Sequence, residues 1–189
     1  MNEAEKLYYR ETEKSLKSGD KKIIRARIKE LKNAGNASLL SLILDLFMTD
    51  PGEEIRQDIL GLLANLRDQQ SAAVIAACID NNPRSLNLAE LIASCWQSRL
   101  DYSAHLETFT GSFISGDYRT AIESFTVIEE SLWKSSSESI DQCKILLTER
   151  VSEISEEKMP LYRERIDVLN TQRTRNSEDY PDLYTDDQE

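Results

Sequence analysis

Apolar positions in the first half of the chain recur with a fixed period, and this repeat is the clearest pattern in the sequence. Two patterns return 31 residues later: Ile24-Arg25-x-x-Ile28-x-x-Leu31 as Ile55-Arg56-x-x-Ile59-x-x-Leu62, and Leu42-Ile43-x-x-Leu46-Phe47 as Ala73-Val74-x-x-Ala77-Cys78. Apolar residues three and four apart share one face of a helix, so each pattern predicts an amphipathic helix. A period of this length predicts a solenoid of stacked helix pairs, because a single pair cannot bury its apolar face alone.

Breaks between the apolar segments divide the chain into about ten predicted helices. Asp50-Pro51-Gly52, for example, ends the third helix. Before the ninth helix, Ser135 and Glu138 have the spacing of a capping box, with Ser135 as the N-cap. In the first helix we expect Leu7 and Leu16 to point inward. The predicted helices cover residues 3–17, 21–33, 37–48, 53–66, 70–79, 85–96, 102–114, 118–132, 136–154 and 160–170.

Composition supports an all-α fold with one structured domain. The 189-residue chain has only 6 Gly and 4 Pro, which argues against many short strands joined by tight turns. Residues 176–189 differ from the rest, because they carry six acidic residues, no Lys or Arg, and no helical period. We therefore expect a helical repeat domain over residues 1–175 and an acidic, disordered tail over residues 176–189.

The second repeat has an Asp before its first helix, an Ile-Arg pair inside it, and a short Asp-bearing turn before a second apolar helix. The positions in question are Asp50, Ile55-Arg56, Ile59, Leu62-Leu63, Asp68, Val74, Ala77 and Asp80. This order resembles HEAT repeats, and the resemblance extends from about residue 20 to residue 132. It implies a short right-handed α-solenoid of stacked antiparallel helix pairs. HEAT arrays serve many roles, so the resemblance implies a macromolecular partner without identifying it.

The fourth helix pair contains a different pattern. Its first residues read Gly116-Asp117-Tyr118-x-x-Ala121-Ile122-x-x-Phe125, which resembles the second helix of a tetratricopeptide repeat. The resemblance ends at Ile128, where that family has a small residue, and no Pro follows. Both families imply a right-handed array of helix pairs, so the predicted fold does not depend on the choice.

The net charge and the spacing of the cysteines limit the classes of partner and the cellular compartment that the sequence predicts. The net charge of −11 opposes nucleic-acid binding, which needs a basic stripe to displace counterions. Three widely spaced cysteines without a C-x-x-C pair favour buried thiols in a reducing compartment over a disulfide framework or a zinc site. The polar start predicts no signal peptide, and the longest apolar run, residues 72–79, is too short to span a membrane. We expect a cytoplasmic protein without membrane contact, whose oligomeric state stays open.

Motifs for common catalytic chemistries do not occur in the sequence. Neither phosphate-binding glycine pattern is present, and the single histidine, His105, leaves no multi-histidine metal centre. A Cys–His nucleophile would have to pair His105 with a cysteine, yet all three cysteines lie on predicted apolar helix faces. We therefore expect a protein without cofactor, metal or enzymatic activity. DNA glycosylases and small-molecule lyases of HEAT-like fold remain the alternative function, although the glycosylases need a cationic groove.

Aromatic residues in the third and fourth pairs are the best candidates for contacts with a partner. Trp96 and Tyr102 flank the turn at residues 97–99, and Trp133 ends a helix beside a serine-rich loop. Half-exposed aromatic side chains at such sites are favoured binding anchors. We expect His105, in the same region, to be half-buried, whereas Phe109, Phe113 and Phe125 belong to the core.

These observations together predict a non-enzymatic protein–protein interaction scaffold or adaptor. A solenoid exposes an extended face of stacked second helices, and this face is the expected binding surface for a protein or peptide. The candidate partner-binding residues are Trp96, Tyr102, His105 and Trp133.

Overall fold

The computed structural model describes residues 2–34 and 37–178, with side chains described for residues 2–31 and 39–171. The described residues form ten α-helices and contain no β-strand. Four short 3-10 helices lie at Ser103–His105, Leu132–Lys134, Val151–Glu153 and Glu156–Lys158. The α-helices are α1 (Glu3–Leu16), α2 (Lys21–Ala34), α3 (Ala37–Met48), α4 (Glu53–Leu63), α5 (Gln70–Asn81), α6 (Leu88–Gln97), α7 (Leu106–Ser115), α8 (Tyr118–Ser131), α9 (Ser137–Glu149) and α10 (Met159–Glu178).

The all-α prediction is confirmed in the described part of the chain, and several helix ends differ from the predicted ones. α4 ends at Leu63, three residues before its predicted end. α6 begins at Leu88, because the residues before it form a turn in which the Ser85 hydroxyl accepts the Asn87 N–H at 3.3 Å. α10 continues to Glu178, beyond the predicted end near residue 170 and across the predicted domain boundary. The rest of the predicted acidic tail lies outside the described residues, so the tail stays a prediction.

The N-cap of α9 is Ser136, and the prediction of Ser135 as the cap is wrong. The Ser136 hydroxyl oxygen accepts the Ser139 N–H at 3.1 Å, which satisfies one of the free donors of the first turn. Ser135 is buried, and its hydroxyl donates a 2.8 Å hydrogen bond to the carbonyl oxygen of Ser131. Ser135 therefore belongs to the turn that ends α8.

Helices pack against the helix two places further along the chain, and five consecutive pairs also pack together: α1 with α2, α3 with α4, α5 with α6, α7 with α8 and α9 with α10. α1, α3, α5, α7 and α9 form one chain of contacts, which we call the odd row. α2, α4, α6 and α8 form a second chain of contacts, which we call the even row. Contacts between consecutive helices, such as α1 with α2 and α7 with α8, join the two rows. The predicted first helices of each pair thus lie in the even row and the second helices in the odd row.

Buried apolar side chains from α1 to α10 form one contiguous core. Phe109, Phe113 and Phe125 belong to it, as predicted. The Phe113 and Phe125 rings meet edge to face with their centroids 5.9 Å apart, an arrangement that aromatic pairs favour. Leu7 lies outside this core with 57% of its side chain exposed, so the prediction that it points inward is wrong. The buried face of α1 is instead the one that carries Thr12 and Leu16.

Burial confirms the 31-residue period in the even row and corrects it in the odd row. Three matched pairs of α2 and α4 are buried: Ile24 with Ile55, Ile28 with Ile59, and Leu31 with Leu62. In α3 and α5 the buried matches are 32 residues apart: Leu40 with Ala72, Ile43 with Ile75, Leu44 with Ala76, and Phe47 with Ile79. The sequence alone does not fix the alignment of α3 with α5. α3 is apolar nearly all round, so a shift of one residue still aligns apolar residues.

Candidate functional site

A groove of about 600 Å³ lies where α1 and α3 meet the first turns of α2 and α4, and we call it the N-terminal groove. Its size is typical of pockets that take a ligand or several side chains. Apolar side chains from all four helices form much of the lining: Leu16, Ile24, Leu42, Leu46 and Ile55. Charged side chains also line it: Glu13, Lys17, Lys21 and Asp45. The groove therefore combines an apolar surface with charges of both signs.

A second groove, of about 410 Å³, runs between α3 and α5, and we call it the α3/α5 groove. Its lining includes Leu44 of α3 and Val74, Ala77 and Cys78 of α5. Asp45 lines both grooves, so the two meet at its side chain. In the 32-residue register Asp45 is equivalent to Ala77, and both are exposed. The position of α5 that matches Asp45 therefore carries only a methyl group, and both residues line the α3/α5 groove.

The Asp45 carboxylate carries the unmatched charge at this junction. It makes no hydrogen bond or ion pair with the described residues, whereas Glu13 pairs with Lys17 at 2.6 Å. The pKa of Lys17 is raised first by its hydrogen bond with Glu13, and the Asp45 charge adds to the rise. Burial raises the pKa of Cys78 to about 11, and the Asp45 charge adds to this rise as well. The negative charge of Asp45 thus reaches α1 on one side and α5 on the other.

The turn after α5 closes against the end of α3 and borders a third groove of about 420 Å³. Asn87 fixes this turn, because its buried side-chain amide donates a 2.8 Å hydrogen bond to the carbonyl oxygen of Phe47. The bond satisfies one of the carbonyls that the end of α3 leaves free. Thr49 lines both this groove and the N-terminal groove, and Asn81 lines both this groove and the α3/α5 groove. All three grooves therefore surround the C-terminal half of α3.

Ion pairs join neighbouring helices along the even row. Arg25 of α2 donates to the Asp58 carboxylate of α4 at 2.5 Å, and Arg56 of α4 lies 3.3 Å from Glu90 of α6. Arg119 of α8 approaches the other carboxylate oxygen of Glu90 at 3.9 Å. Partly exposed pairs of this kind contribute little to stability. Their consequence is that these even-row charges are matched within the protein, in contrast to Asp45 on the odd row.

Trp96 and Trp133 have the exposure that the sequence predicts for them. Trp96 is 41% exposed, and its indole N–H donates a 2.8 Å hydrogen bond to Glu123 of α8. Trp133 is 72% exposed, with the Lys134 ammonium 4.6 Å from its ring centroid. Both rings are accessible, and their contact with a partner stays a prediction.

Tyr102 is buried, so the prediction of a half-exposed ring at this position is wrong. Only 2% of the residue is exposed, and its ring packs edge-on against Phe109 with the centroids 5.4 Å apart. Burial also raises the pKa of the Tyr102 hydroxyl. His105 is half-buried, as predicted, and ends the 3-10 helix before α7. None of the four predicted site residues lines any of the three grooves, so the structure does not bring them together there.

Asp45 and the grooves around it were missed by the sequence reasoning. One signal was available, because Asp45 is the single charged residue in the α3 sequence ASLLSLILDLFM. A lone charge in an otherwise apolar helix marks the line along which that helix reaches the surface. Aromatic residues are the stronger signal in the sequence, since they are favoured binding anchors.

The cysteine environments oppose nucleophilic chemistry. Burial raises the pKa of Cys95 to about 12 and also raises the pKa of Cys143, whereas an activated cysteine has a lowered pKa. Within the described ranges, no three or more His, Cys, Asp or Glu side chains group together as a metal site would require. None of the described helices combines the length and apolarity that crossing a membrane demands.

The chain matches no protein-family model, no curated protein and no solved structure. The likeness to HEAT repeats therefore rests on the sequence pattern alone.

Proposed function

We propose that this protein is a non-enzymatic scaffold or adaptor that binds a protein or peptide along the odd row. The observation that carries the proposal is the junction of the N-terminal groove and the α3/α5 groove at Asp45. The two grooves form an open surface of mixed apolar and polar character across α1, α3 and α5, which suits a peptide ligand. The three cysteines are free thiols, which supports a reducing, cytoplasmic location.

The fold that we propose for this role is a short right-handed α-solenoid of HEAT type. Contacts between helices two places apart support it, because stacked pairs bring such helices together. The matched burial of Ile28 and Ile59 supports it as well, since repeats place equivalent residues in equivalent positions. Stacking of this kind leaves one long row of helices available to a partner.

Two observations favour binding over the alternative of a DNA glycosylase or a small-molecule lyase. The N-terminal groove carries Glu13 and Asp45 as well as two lysines, so it is not the cationic channel that a DNA backbone requires. A lyase of this kind would need a deep pocket with a carboxylate beside Trp96 or Tyr102. Both residues lie outside the three grooves.

Site-specific photo-cross-linking in the native cell tests the proposed function. A photoreactive phenylalanine analogue replaces Ala77, which is exposed and lines the α3/α5 groove. As a matched control, the same analogue replaces Ala26, an exposed alanine of α2 in the even row. We expect a discrete protein adduct from position 77 and none from position 26, with the adduct identified by mass spectrometry.

A second substitution links the adduct to the grooves. Leu46 is half-buried in the N-terminal groove, so Leu46→Glu places a charge in its apolar lining. We expect this change to reduce the adduct at position 77 at least about fivefold, while circular dichroism stays helical. Equal adducts from both positions, or an adduct that Leu46→Glu does not affect, would contradict binding on the odd row.

A further inference from the structure

We infer that the segment bound by the odd row is an amphipathic helix that places a lysine or arginine opposite Asp45, between two aliphatic side chains. One aliphatic side chain enters the N-terminal groove, and the other enters the α3/α5 groove. The inference rests on the proposed function and specifies the chemistry of the partner segment.

Charge complementarity determines the central residue of the segment. Among the described residues Asp45 alone lines both grooves, and its carboxylate has no ion-pair partner there. Lys17 is held by Glu13 at 2.6 Å, and Lys21 lines the N-terminal groove alone. A partner cation at the junction therefore meets a carboxylate that forms no direct ion pair with the described residues. The net charge of −11 also favours the approach of a basic segment.

The apolar lining on either side of Asp45 determines the flanking residues. Leu42 and Leu46 line the N-terminal groove, and Leu44 and Val74 line the α3/α5 groove. All four belong to the core or pack against it, so each groove is a point where the core reaches the surface. Aliphatic side chains that fill these grooves remove apolar surface from water, which favours binding.

The architecture of the odd row favours a helical conformation for the bound partner segment. The described residues contain no β-strand, so an extended segment has no sheet edge to join. Polyproline segments dock between aromatic rings, and among the described residues Tyr9 is the only aromatic residue that lines the two grooves. On a helix, residues three and four positions from a central lysine lie on the same face as that lysine. A helix therefore presents one cation between two aliphatic side chains, as the junction requires.

Titration of the full chain with two matched peptides tests the inference. The probe is a fluorescein-labelled alanine- and glutamine-rich helix of about 15 residues, long enough to be helical. It carries one central lysine, with a leucine three positions before it and another four positions after it. The comparison peptide has glutamate in place of that lysine. We expect fluorescence anisotropy to show Kd at least about tenfold weaker for the glutamate peptide, with the difference shrinking as salt rises.

Two variants of the protein test whether the Asp45 carboxylate causes the preference for the lysine peptide. Asp45→Asn and Glu130→Gln each remove one negative charge, and Glu130 is an exposed residue of α8 in the even row. We expect Asp45→Asn to weaken binding of the lysine peptide about fivefold to tenfold and to remove most of the preference between the peptides. Glu130→Gln should leave both affinities unchanged.

Equal affinity for the two peptides, tighter binding of the glutamate peptide, or the same loss in both variants would overturn the inference. Absence of binding by either peptide would overturn it as well. The proposed function is judged separately by cross-linking at Ala77. An adduct at that position without a preference for the lysine peptide would support the scaffold function and reject only the basic amphipathic helix as its partner.

Discussion

The ammonium group of Lys158 donates a 2.7 Å hydrogen bond to the carbonyl oxygen of Ile114, which lies 44 residues earlier in the chain. It also donates to the carbonyl oxygens of Phe113 at 3.0 Å and Gly116 at 2.7 Å. The end of a helix leaves its last carbonyls without partners and favours a positive charge. Lys158 is only 2% exposed, so a buried lysine holds the 3-10 helix before α10 against the end of α7.

Replacement of Lys158 by methionine should destabilise the protein strongly. Methionine has a similar length but donates no hydrogen bond, and a buried acceptor left without a donor costs about 1–3 kcal/mol. We expect Lys158→Met to lower the free energy of unfolding by roughly 2–5 kcal/mol in a urea titration. Lys29 is exposed on α2, and Lys29→Met should stay within about 0.5 kcal/mol of the wild type. Equal effects of the two changes would show that the Lys158 contacts do not stabilise the fold.

Two glycines of the same region should respond to alanine in opposite directions. A Cβ atom at Gly116 would lie 2.5 Å from the Thr120 Cγ2 atom and 2.7 Å from the Ser112 carbonyl oxygen. We expect Gly116→Ala to cost about 1–3 kcal/mol of unfolding free energy, because the turn has to shift. A Cβ atom at Gly111 has no neighbour within 4 Å, so Gly111→Ala should stabilise α7 by up to about 1 kcal/mol. Chemical unfolding of both variants checks the signs, and a stabilised Gly116→Ala would contradict the close approach.

Alkylation of Cys78 should report the charge of Asp45. Burial and the Asp45 charge raise the pKa of this thiol to about 11, so removal of the charge lowers that pKa and increases the thiolate fraction. We expect Asp45→Asn to speed iodoacetamide labelling of Cys78 about twofold to fivefold near pH ~8.5, with the site mapped by mass spectrometry. Glu130→Gln should leave the rate unchanged. An unchanged rate in Asp45→Asn would mean that its charge does not reach α5.

Asp117 should make stability depend on pH in the acid range. Asp117 is the N-cap of α8: its carboxylate accepts the Thr120 N–H at 2.7 Å, and hydrogen bonds with Thr120 hold the pKa of Asp117 below its ordinary value of 3.8. Because the pKa is lower in the folded state, the cap stabilises the fold above pH 3.8, and this contribution is lost as the pH falls through the folded-state pKa. Asparagine caps a helix without titrating. Urea unfolding between pH ~4 and ~2 should therefore show a shallower loss for Asp117→Asn, and parallel curves would contradict this role.

Helix positions and the even-row register could be predicted because they depend on local patterns. Ile28 and Ile59 are both buried, as their place in the repeated stripe predicts. Gly52 marks the start of α4, where its φ of 89° is a conformation that glycine adopts readily. Such signals lie within a few residues of the structure that they specify.

The candidate site could not be located in this way, because it depends on the alignment between helices. A 31-residue offset matches Asp45 with the buried Ala76, whereas the observed 32-residue offset matches it with the exposed Ala77. This one-residue difference decides whether the space beside Asp45 is core or groove. The predicted exposure of Tyr102 was wrong for a related reason. Its burial depends on how closely Phe109 approaches it after the intervening 3-10 helix.

α1 forms one wall of the N-terminal groove, and its own packing depends on α2 and α3. Elements with few neighbours open more readily than the rest of a fold, so we expect α1 to open before the other helices and the groove to exist only while α1 is closed. A ligand that bridges α1 and α3 binds the closed form alone, and its binding free energy adds to the stability of that form. Occupancy of the groove should thus be linked thermodynamically to closure of α1, and we expect amide hydrogen exchange in α1 to slow as the groove fills.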